Sequence, residues 1–338
     1  MQVVLNVVLA FIVALGLSIA HGNAAETING AGASFPYPVY SAWAYQYNNV
    51  TGTKLNYQSV GSGGGQRQIT ERTVDFGATD DPLKPEQLQK EKLLQFPAVI
   101  GGVVPVVNLG NVEPGRLKLD ADTLCRLFLG EIKFWDDEKI RKMNPQIKLP
   151  HNDVTVVYRS DGSGTTAIFT HYLSEGCPAW KERVGEGKAV KFRVGIGGKG
   201  NEGVANYVKR TANALGYVEF AYAKQNKLNY IQLKNGAGNF VVPSFESFEN
   251  AAETADFDAR KDFYLWLTNA PGKGAWPIAG ATFILLAKEK TEGNKHVVRF
   301  FDWAFKNGDA KAKELIYVPL PKSLKEKVKA YWKTNGIL

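Results

Sequence analysis

Four short segments of this chain carry residue types that could hold a small anion, and each lies where a predicted strand hands over to a helix. The densest is Arg159-Ser160-Asp161-Gly162-Ser163-Gly164-Thr165-Thr166. Arg159 offers a planar fork for two oxygens, and Asp161 is close enough in sequence to orient that fork by an ion pair. Ser163, Gly164 and Thr165 then present hydroxyls and backbone N–H groups at a predicted helix N-terminus, where the amides have no intrahelical partner. Gly30-Ala31-Gly32-Ala33-Ser34-Phe35-Pro36 places another hydroxyl, Ser34, ahead of a helix over Tyr37 to Tyr47, with Pro38 tolerated in its first turn. Val60-Gly61-Ser62-Gly63-Gly64-Gly65-Gln66 reads as a glycine turn in which N–H groups can converge and Ser62 adds a donor. No Gly-Lys-Ser/Thr follows, so it is not the phosphate loop of nucleotide hydrolases.

The fourth segment, Val74-Asp75-Phe76-Gly77-Ala78-Thr79-Asp80-Asp81-Pro82, contributes a carboxylate. Asp81 before Pro82 reads as an N-cap with proline at the first helical position, which leaves Asp80 without a capping task. A carboxylate only accepts hydrogen bonds, so it favours an anion that carries an O–H and repels one without a proton. Monobasic and dibasic phosphate meet that condition, whereas sulfate near neutral pH does not. One fixed cation, one acceptor and several neutral donors therefore suit a small, desolvated, protonated oxyanion whose oxygens nearly all find donors.

The elements that must position these groups follow a repeated pattern. Lys54 to Val60 and Val154 to Tyr158 read as strands, followed by helices over Gln66 to Glu71 and Thr166 to Ser174. Strand, glycine turn and helix in that order imply α/β layers with mainly parallel sheets. Two uncharged runs, Phe96 to Leu109 and Ala275 to Ala287, suit fully buried strands and read as the places where the chain crosses between two lobes. One lobe then takes residues 26–103 and 277–338, and the other takes 104–276. Ser323-Leu324-Lys325-Glu326 has the pattern of a capping box opening the last helix, with Leu324, Val328 and Tyr331 on its buried face.

The chain has 338 residues, 44% of them hydrophobic and 22% charged, which excludes a disordered or fibrous protein. Its formal net charge of +8 fits an anionic partner. Half of that excess, +4, comes from five lysines and one glutamate between Lys322 and Lys333, far in sequence from the candidate site. The apolar run from Val3 to Ala20, followed by small residues up to Ala25, reads as a cleaved secretory signal, residues 1–25, and hence a secreted protein in an oxidising compartment. In such a compartment Cys125 and Cys177 are candidates for a disulfide.

Other function classes fit less well. Gly195-Ile196-Gly197-Gly198-Lys199-Gly200 matches a dinucleotide fingerprint and Glu219 follows at suitable spacing, but the motif lies deep in the chain and reads better as a loop bordering the cleft. For a phosphatase, only His151, His171 and His296 lie beyond residue 25, no Asp/His cluster has metal-ligand spacing, and no G-x-S-x-G elbow surrounds Ser62 or Ser163. The glycine-rich segments are poor in lysine, against a nucleic-acid surface. No enzyme activity, cofactor or metal is expected.

Longer segments carry a family resemblance. From Gly30-Ala31-Gly32, through Thr73-Val74-Asp75-Phe76-Gly77-Ala78, Phe96-Pro97-Ala98-Val99-Ile100-Gly101-Gly102, Asp161-Gly162-Ser163-Gly164-Thr165 and Leu215-Gly216-Tyr217-Val218-Glu219, to Trp332-Lys333-Thr334-Asn335, the chain resembles the periplasmic phosphate-binding proteins of high-affinity phosphate ABC transporters. The resemblance implies a two-lobed, hinge-closing protein of the type II periplasmic binding fold, working as a monomer and delivering inorganic phosphate to an inner-membrane permease. By motif position it implies phosphate contacts at Ser34, Phe35 through its backbone N–H, Ser62, Asp80, Arg159, Ser163, Gly164 and Thr165, with Asp161 supporting Arg159. Many relatives carry Thr at the position of Ser34, which keeps the hydroxyl, and the Asp80-Asp81 doublet departs from the usual motif.

Overall fold

The computed structural model describes residues 26–338, so the segment read as a signal lies outside the described residues. Strands and helices alternate first: β1 (Thr27–Gly32), α1 (Tyr37–Thr51), β2 (Lys54–Ser59), α2 (Ser62–Thr70), β3 (Phe76–Thr79), α3 (Pro85–Glu91) and the long β4 (Leu93–Val107). The middle of the chain forms β5 (Lys118–Leu119), α4 (Ala121–Leu129), α5 (Glu138–Met143), β6 (Thr155–Arg159), α6 (Gly164–Gly176), α7 (Pro178–Arg183), β7 (Ile196–Gly198), α8 (Gly200–Arg210), β8 (Ala214–Glu219) and α9 (Phe220–Gln225). Short strands β9 (Asn229–Tyr230), β10 (Gln232–Lys234) and β11 (Phe240–Val241) and helix α10 (Phe245–Glu253) lead to β12 (Ala279–Ala287), then α11 (Thr291–Asn307), α12 (Asp309–Glu314) and α13 (Lys322–Thr334).

The fold is a two-lobed α/β architecture organised by β4, all of whose residues are buried. From Leu93 to Gly102 β4 pairs with β12, and from Val103 to Val107 it pairs with β8. On one side the order is β2, β1, β3, β12; on the other it is β8, β6, β7. The outer pairs β1·β2, β1·β3, β6·β8 and β6·β7 are parallel, as the alternation predicts, while in this sheet the pairs of β4 and β12 are antiparallel. Parallel neighbours need a crossover between them, whereas β4 and β12 carry the chain out of one half-sheet and back into it. At the foot of β12 the Val103 N–H donates to the Ile278 carbonyl at 2.9 Å, so outgoing and returning chain are tied where the partners change. Proline normally interrupts a central strand; here the register shifts by one residue beside Pro97, where Thr282 faces Val99 and Phe283 faces Pro97.

Three local expectations change. Gly63, Gly64 and Gly65 do not form a loop ahead of the helix; they are the first turns of α2 itself. The reason is close packing: a Cβ on Gly65 would lie 2.6 Å from the Ala31 carbonyl oxygen and 2.8 Å from that of Ala78, so α2 rests backbone against backbone on β1 and β3. Asp81 is not an N-cap, because the turn at Pro82 is held by the Thr79 hydroxyl, which accepts from Asp81 N at 3.0 Å, and α3 starts only at Pro85. Ser323 caps nothing, since α13 begins one residue earlier behind Pro321, without a side-chain cap. Leu324, Val328 and Tyr331 of α13 are buried as expected. Of the lysines there, Lys325, Lys327 and Lys329 pair with Asp309, Asp256 and Asp302, so the local excess of base is partly offset on the surface.

Cys125 in α4 is bonded to Cys177 at the end of α6, across 52 positions. Closing a loop of that length restricts the unfolded chain, and the pair is buried among apolar neighbours. Replacing both cysteines by alanine is expected to lower unfolding free energy by about 2–4 kcal/mol, read as a lower urea midpoint. The candidate anion site should change little, because the bond holds the far end of α6 and not its N-terminus.

Candidate functional site

The ends of β3 and β6 and the starts of α1, α2, α6 and α8 converge, and the side chains at these ends are bonded to one another. Arg159 closes β6, where its N–H donates to the Tyr217 hydroxyl at 3.2 Å. Its Nε donates to Asp161 Oδ1 at 2.8 Å and its Nη2 to Asp161 Oδ2 at 2.6 Å. Only 1% of the Arg159 side chain is exposed, yet its Nη1 has no protein partner among the described residues. Asp161 also accepts from Gly200 N at the start of α8, at 3.0 Å. Burial alone would push the Asp161 carboxyl up, but the Arg159 fork and the Gly200 N–H outweigh it and hold it below the usual range. Arg159 thus stays charged with one side of its guanidinium committed and the other free.

Asp80 follows β3 and is buried. Its N–H donates to Ser62 Oγ at 3.1 Å, and its Oδ1 has no partner among the described residues. Burial pushes its carboxyl up to about 7, with the Thr282 hydroxyl and the Arg159 cation pulling it back. An unfolded Asp ionises near ~3.9, so between that value and about 7 the folded state holds one proton more than the unfolded state. The unfolding free energy of the ligand-free protein is therefore expected to fall as pH rises through this window. Urea unfolding at several pH values should show that slope in the wild type and lose its Asp80 share in Asp80→Asn.

Ser163 caps α6, its hydroxyl accepting from Thr166 N at 3.0 Å, and the Thr166 hydroxyl shares a 2.7 Å bond with Tyr217. Gly164, the first residue of α6, lies against the opposite side of the cleft: a Cβ there would sit 2.6 Å from Asp80 Oδ2 and run into Ser62 Oγ. Gly164→Ala improves helix propensity by up to about 1 kcal/mol, so α6 should not lose stability while the two walls are held apart. Affinity for the expected anion should drop by at least about tenfold, since bringing the two walls together depends on that contact; calorimetric titration beside a thermal melt would separate the two effects.

Ser34 and Phe35 precede α1 and are both buried. The Ser34 carbonyl accepts from Tyr222 OH at 2.6 Å, and the Phe35 carbonyl accepts from Tyr317 OH at 2.7 Å. Tyr317 also lies 2.8 Å from Glu219 Oε2, and burial keeps the Glu219 carboxyl well above its usual range. Thr165 and Ser34 meet through a residue that sequence reasoning passed over, Asn201. Its Nδ2 donates to Ser34 Oγ at 2.8 Å and to Thr165 Oγ1 at 3.1 Å, its backbone N–H donates to Ser34 Oγ at 3.1 Å, and its Oδ1 accepts from Glu219 N at 2.9 Å. The only signal in the sequence was its place beside the glycine motif that ends at Gly200, which the structure puts in β7 and the start of α8, at the edge of the site. The walls touch elsewhere too: Gly63 N donates to the Gly162 carbonyl at 2.8 Å, and Lys188 pairs with Asp81 at 3.3 Å.

The structure thus gathers Ser34, Phe35, Ser62, Asp80, Arg159, Asp161, Ser163, Gly164 and Thr165 into one cluster, buried except for the partly exposed Asp161. Residues 18–307 match the family model described as a PBP superfamily domain. The chain is 54% identical over 313 residues to the phosphate-binding protein PstS of Haemophilus influenzae, covering 92% of this chain and 94% of that one. The chain belongs to the PstS family of phosphate-binding proteins. Another member, from Pasteurella multocida, is 55% identical and covers 92% of this chain and 91% of its own. Among solved structures, a phosphate-binding protein from Stenotrophomonas maltophilia matches with a TM-score of 0.70 at 21% identity, over 90% of this chain and 94% of that one. A phosphate ABC transporter substrate-binding protein from Clostridium perfringens, with bound phosphate, matches with a TM-score of 0.63 at 16% identity, over 88% of this chain and all of that one. At such identities these two likenesses speak to the fold, while the PstS relatives carry the family.

Proposed function

We propose that this protein captures inorganic phosphate reversibly between its two lobes in the periplasm and, as a monomer, delivers it to an inner-membrane ABC permease. It acts as a binding protein, as the names of its PstS relatives describe them. The observation that carries the reading is a matched pair of buried, unpartnered atoms: Arg159 Nη1, which can only donate, and Asp80 Oδ1. Ionised, Asp80 only accepts. A protonated phosphate satisfies both at once, giving an oxygen to the arginine and an O–H to the carboxylate.

Ser34, the Phe35 N–H, Ser62 and Asp80 would contact the ion from one lobe, and Arg159, Ser163, Gly164 and Thr165 from the other, with Asp161 aiming Arg159. The lobe boundary is placed at residues 103/104 and 276/277, supported by the change of β4 partners between Gly102 and Val103. A ligand held from both sides stabilises the closed form because it binds that form better than the open one. Calorimetric titration with phosphate, arsenate and sulfate tests this. Saturable binding of phosphate and arsenate is expected, with sulfate excluded at alkaline pH, and absence of phosphate binding would overturn the reading.

A further inference from the structure

We propose that Asn201 sets the polarity of two site hydroxyls, forcing Ser34 and Thr165 to act as donors toward the anion. This rests on the phosphate-binding reading and goes one step beyond it, from which residues meet the ion to what fixes the direction of their hydrogen bonds.

A hydroxyl has one proton and two lone pairs, so beside an anion it helps only when the proton faces the ligand. Asn201 is fully buried, and the orientation of its amide is decided by a neighbour that can only donate: the Glu219 N–H, 2.9 Å from Oδ1. With the oxygen so placed, the NH2 group must face the two hydroxyls, 2.8 Å from Ser34 Oγ and 3.1 Å from Thr165 Oγ1. Ser34 Oγ accepts a second bond from the Asn201 backbone N–H at 3.1 Å, which uses both of its lone pairs. Its proton alone is left for a ligand. Thr165 Oγ1 is loaded once in the same sense, and neither hydroxyl donates to a protein acceptor among the hydrogen bonds of the described residues.

Ser163 is biased the same way by the backbone N–H of Thr166, whereas Ser62 accepts from Asp80 N and donates to Asp80 Oδ2 at 3.5 Å. At Ser34 and Thr165 much of the task falls to a side chain, which a substitution can remove. Asn201 would not need to touch phosphate to do this; it is a positioning residue. One amide also serves both walls, since Ser34 precedes α1 and Thr165 lies in α6.

The test is a double-mutant cycle read by phosphate calorimetry. Asn201→Ala is compared with the wild type, and again within a Ser34→Ala, Thr165→Val background that lacks both hydroxyls. The expected result is a loss of at least about tenfold in the wild type and less than about twofold in the background. A purely architectural Asn201 would cost the same factor in both, and that outcome, or no loss in the wild type, would overturn the proposal. Should Asn201→Ala not fold, the cycle is run with Asn201→Ser, which can still accept from the Glu219 N–H but is too short to hold both hydroxyls. Failure of the phosphate reading itself shows separately, as a wild-type protein that gives no phosphate isotherm.

Discussion

Arg159→Ala is expected to weaken phosphate binding by about 3–5 kcal/mol, the range seen when one partner of a buried charge pair is removed. At 1.4 kcal/mol per factor of ten, that is roughly two to three and a half orders of magnitude in dissociation constant. The size follows from the surroundings of the guanidinium. Two of its nitrogens are already committed to Asp161, so the fork is held before any ligand arrives, and the free Nη1 loses nothing to rearrangement on binding. Among the described residues no other Arg or Lys side chain is bonded to the cluster described above, where the remaining donors are neutral. Arg159→Lys keeps the charge but cannot both grip Asp161 with two parallel bonds and face the ion, so it should recover only part of the loss. Titration of both variants, after checking that each folds, gives the answer; an alanine variant within about tenfold of the wild type would remove Arg159 from the centre of the site.

The second large effect is on selectivity. Where Asp80 is ionised it faces an unprotonated sulfate oxygen, so sulfate binds only to the fraction of sites whose carboxyl holds a proton. In Asp80→Asn the amide can offer N–H donors at any pH, so at about pH 9, roughly two units above the Asp80 carboxyl, discrimination of phosphate over sulfate is expected to shrink by roughly two orders of magnitude. The pH dependence has a definite sign. Burial sets the ligand-free carboxyl at about 7. Below that pH the wild type holds a proton that it can donate to sulfate. Above it, sulfate affinity should fall about tenfold per pH unit as the proton is lost. The Asn variant should show no such fall. Equal sulfate affinity of the wild type on both sides of pH 7 would sink the carboxylate argument.

Much of this site could be read from residue types because its parts are local. Arg159, Asp161, Ser163, Gly164 and Thr165 fall within one strand-to-helix turn, and a helix N-terminus next to an arginine has a chemical meaning before any fold is known. The buried runs were equally legible, since β4 and β12 are uncharged and rich in Val, Ile and Ala. What misled was short-range grammar overridden by packing. Three glycines look like a flexible loop, but here they let α2 lie against the backbone of β1 and β3. An Asp-Pro pair looks like a helix cap, but the Thr79 hydroxyl claims that turn.

The sequence by itself determined the family, the alternation of strands and helices, and the chemical kind of ligand, because motif order and side-chain inventory survive without coordinates. Only the tertiary structure decided which groups are left unpaired once everything else is bonded. That Arg159 Nη1 and Asp80 Oδ1 remain free, and that Asn201 joins Ser34 to Thr165, depends on contacts between residues up to 167 positions apart. The same holds for the Asp80 carboxyl, whose shift comes first from burial. Burial belongs to the folded chain as a whole, and no spacing of residues along the sequence encodes it directly.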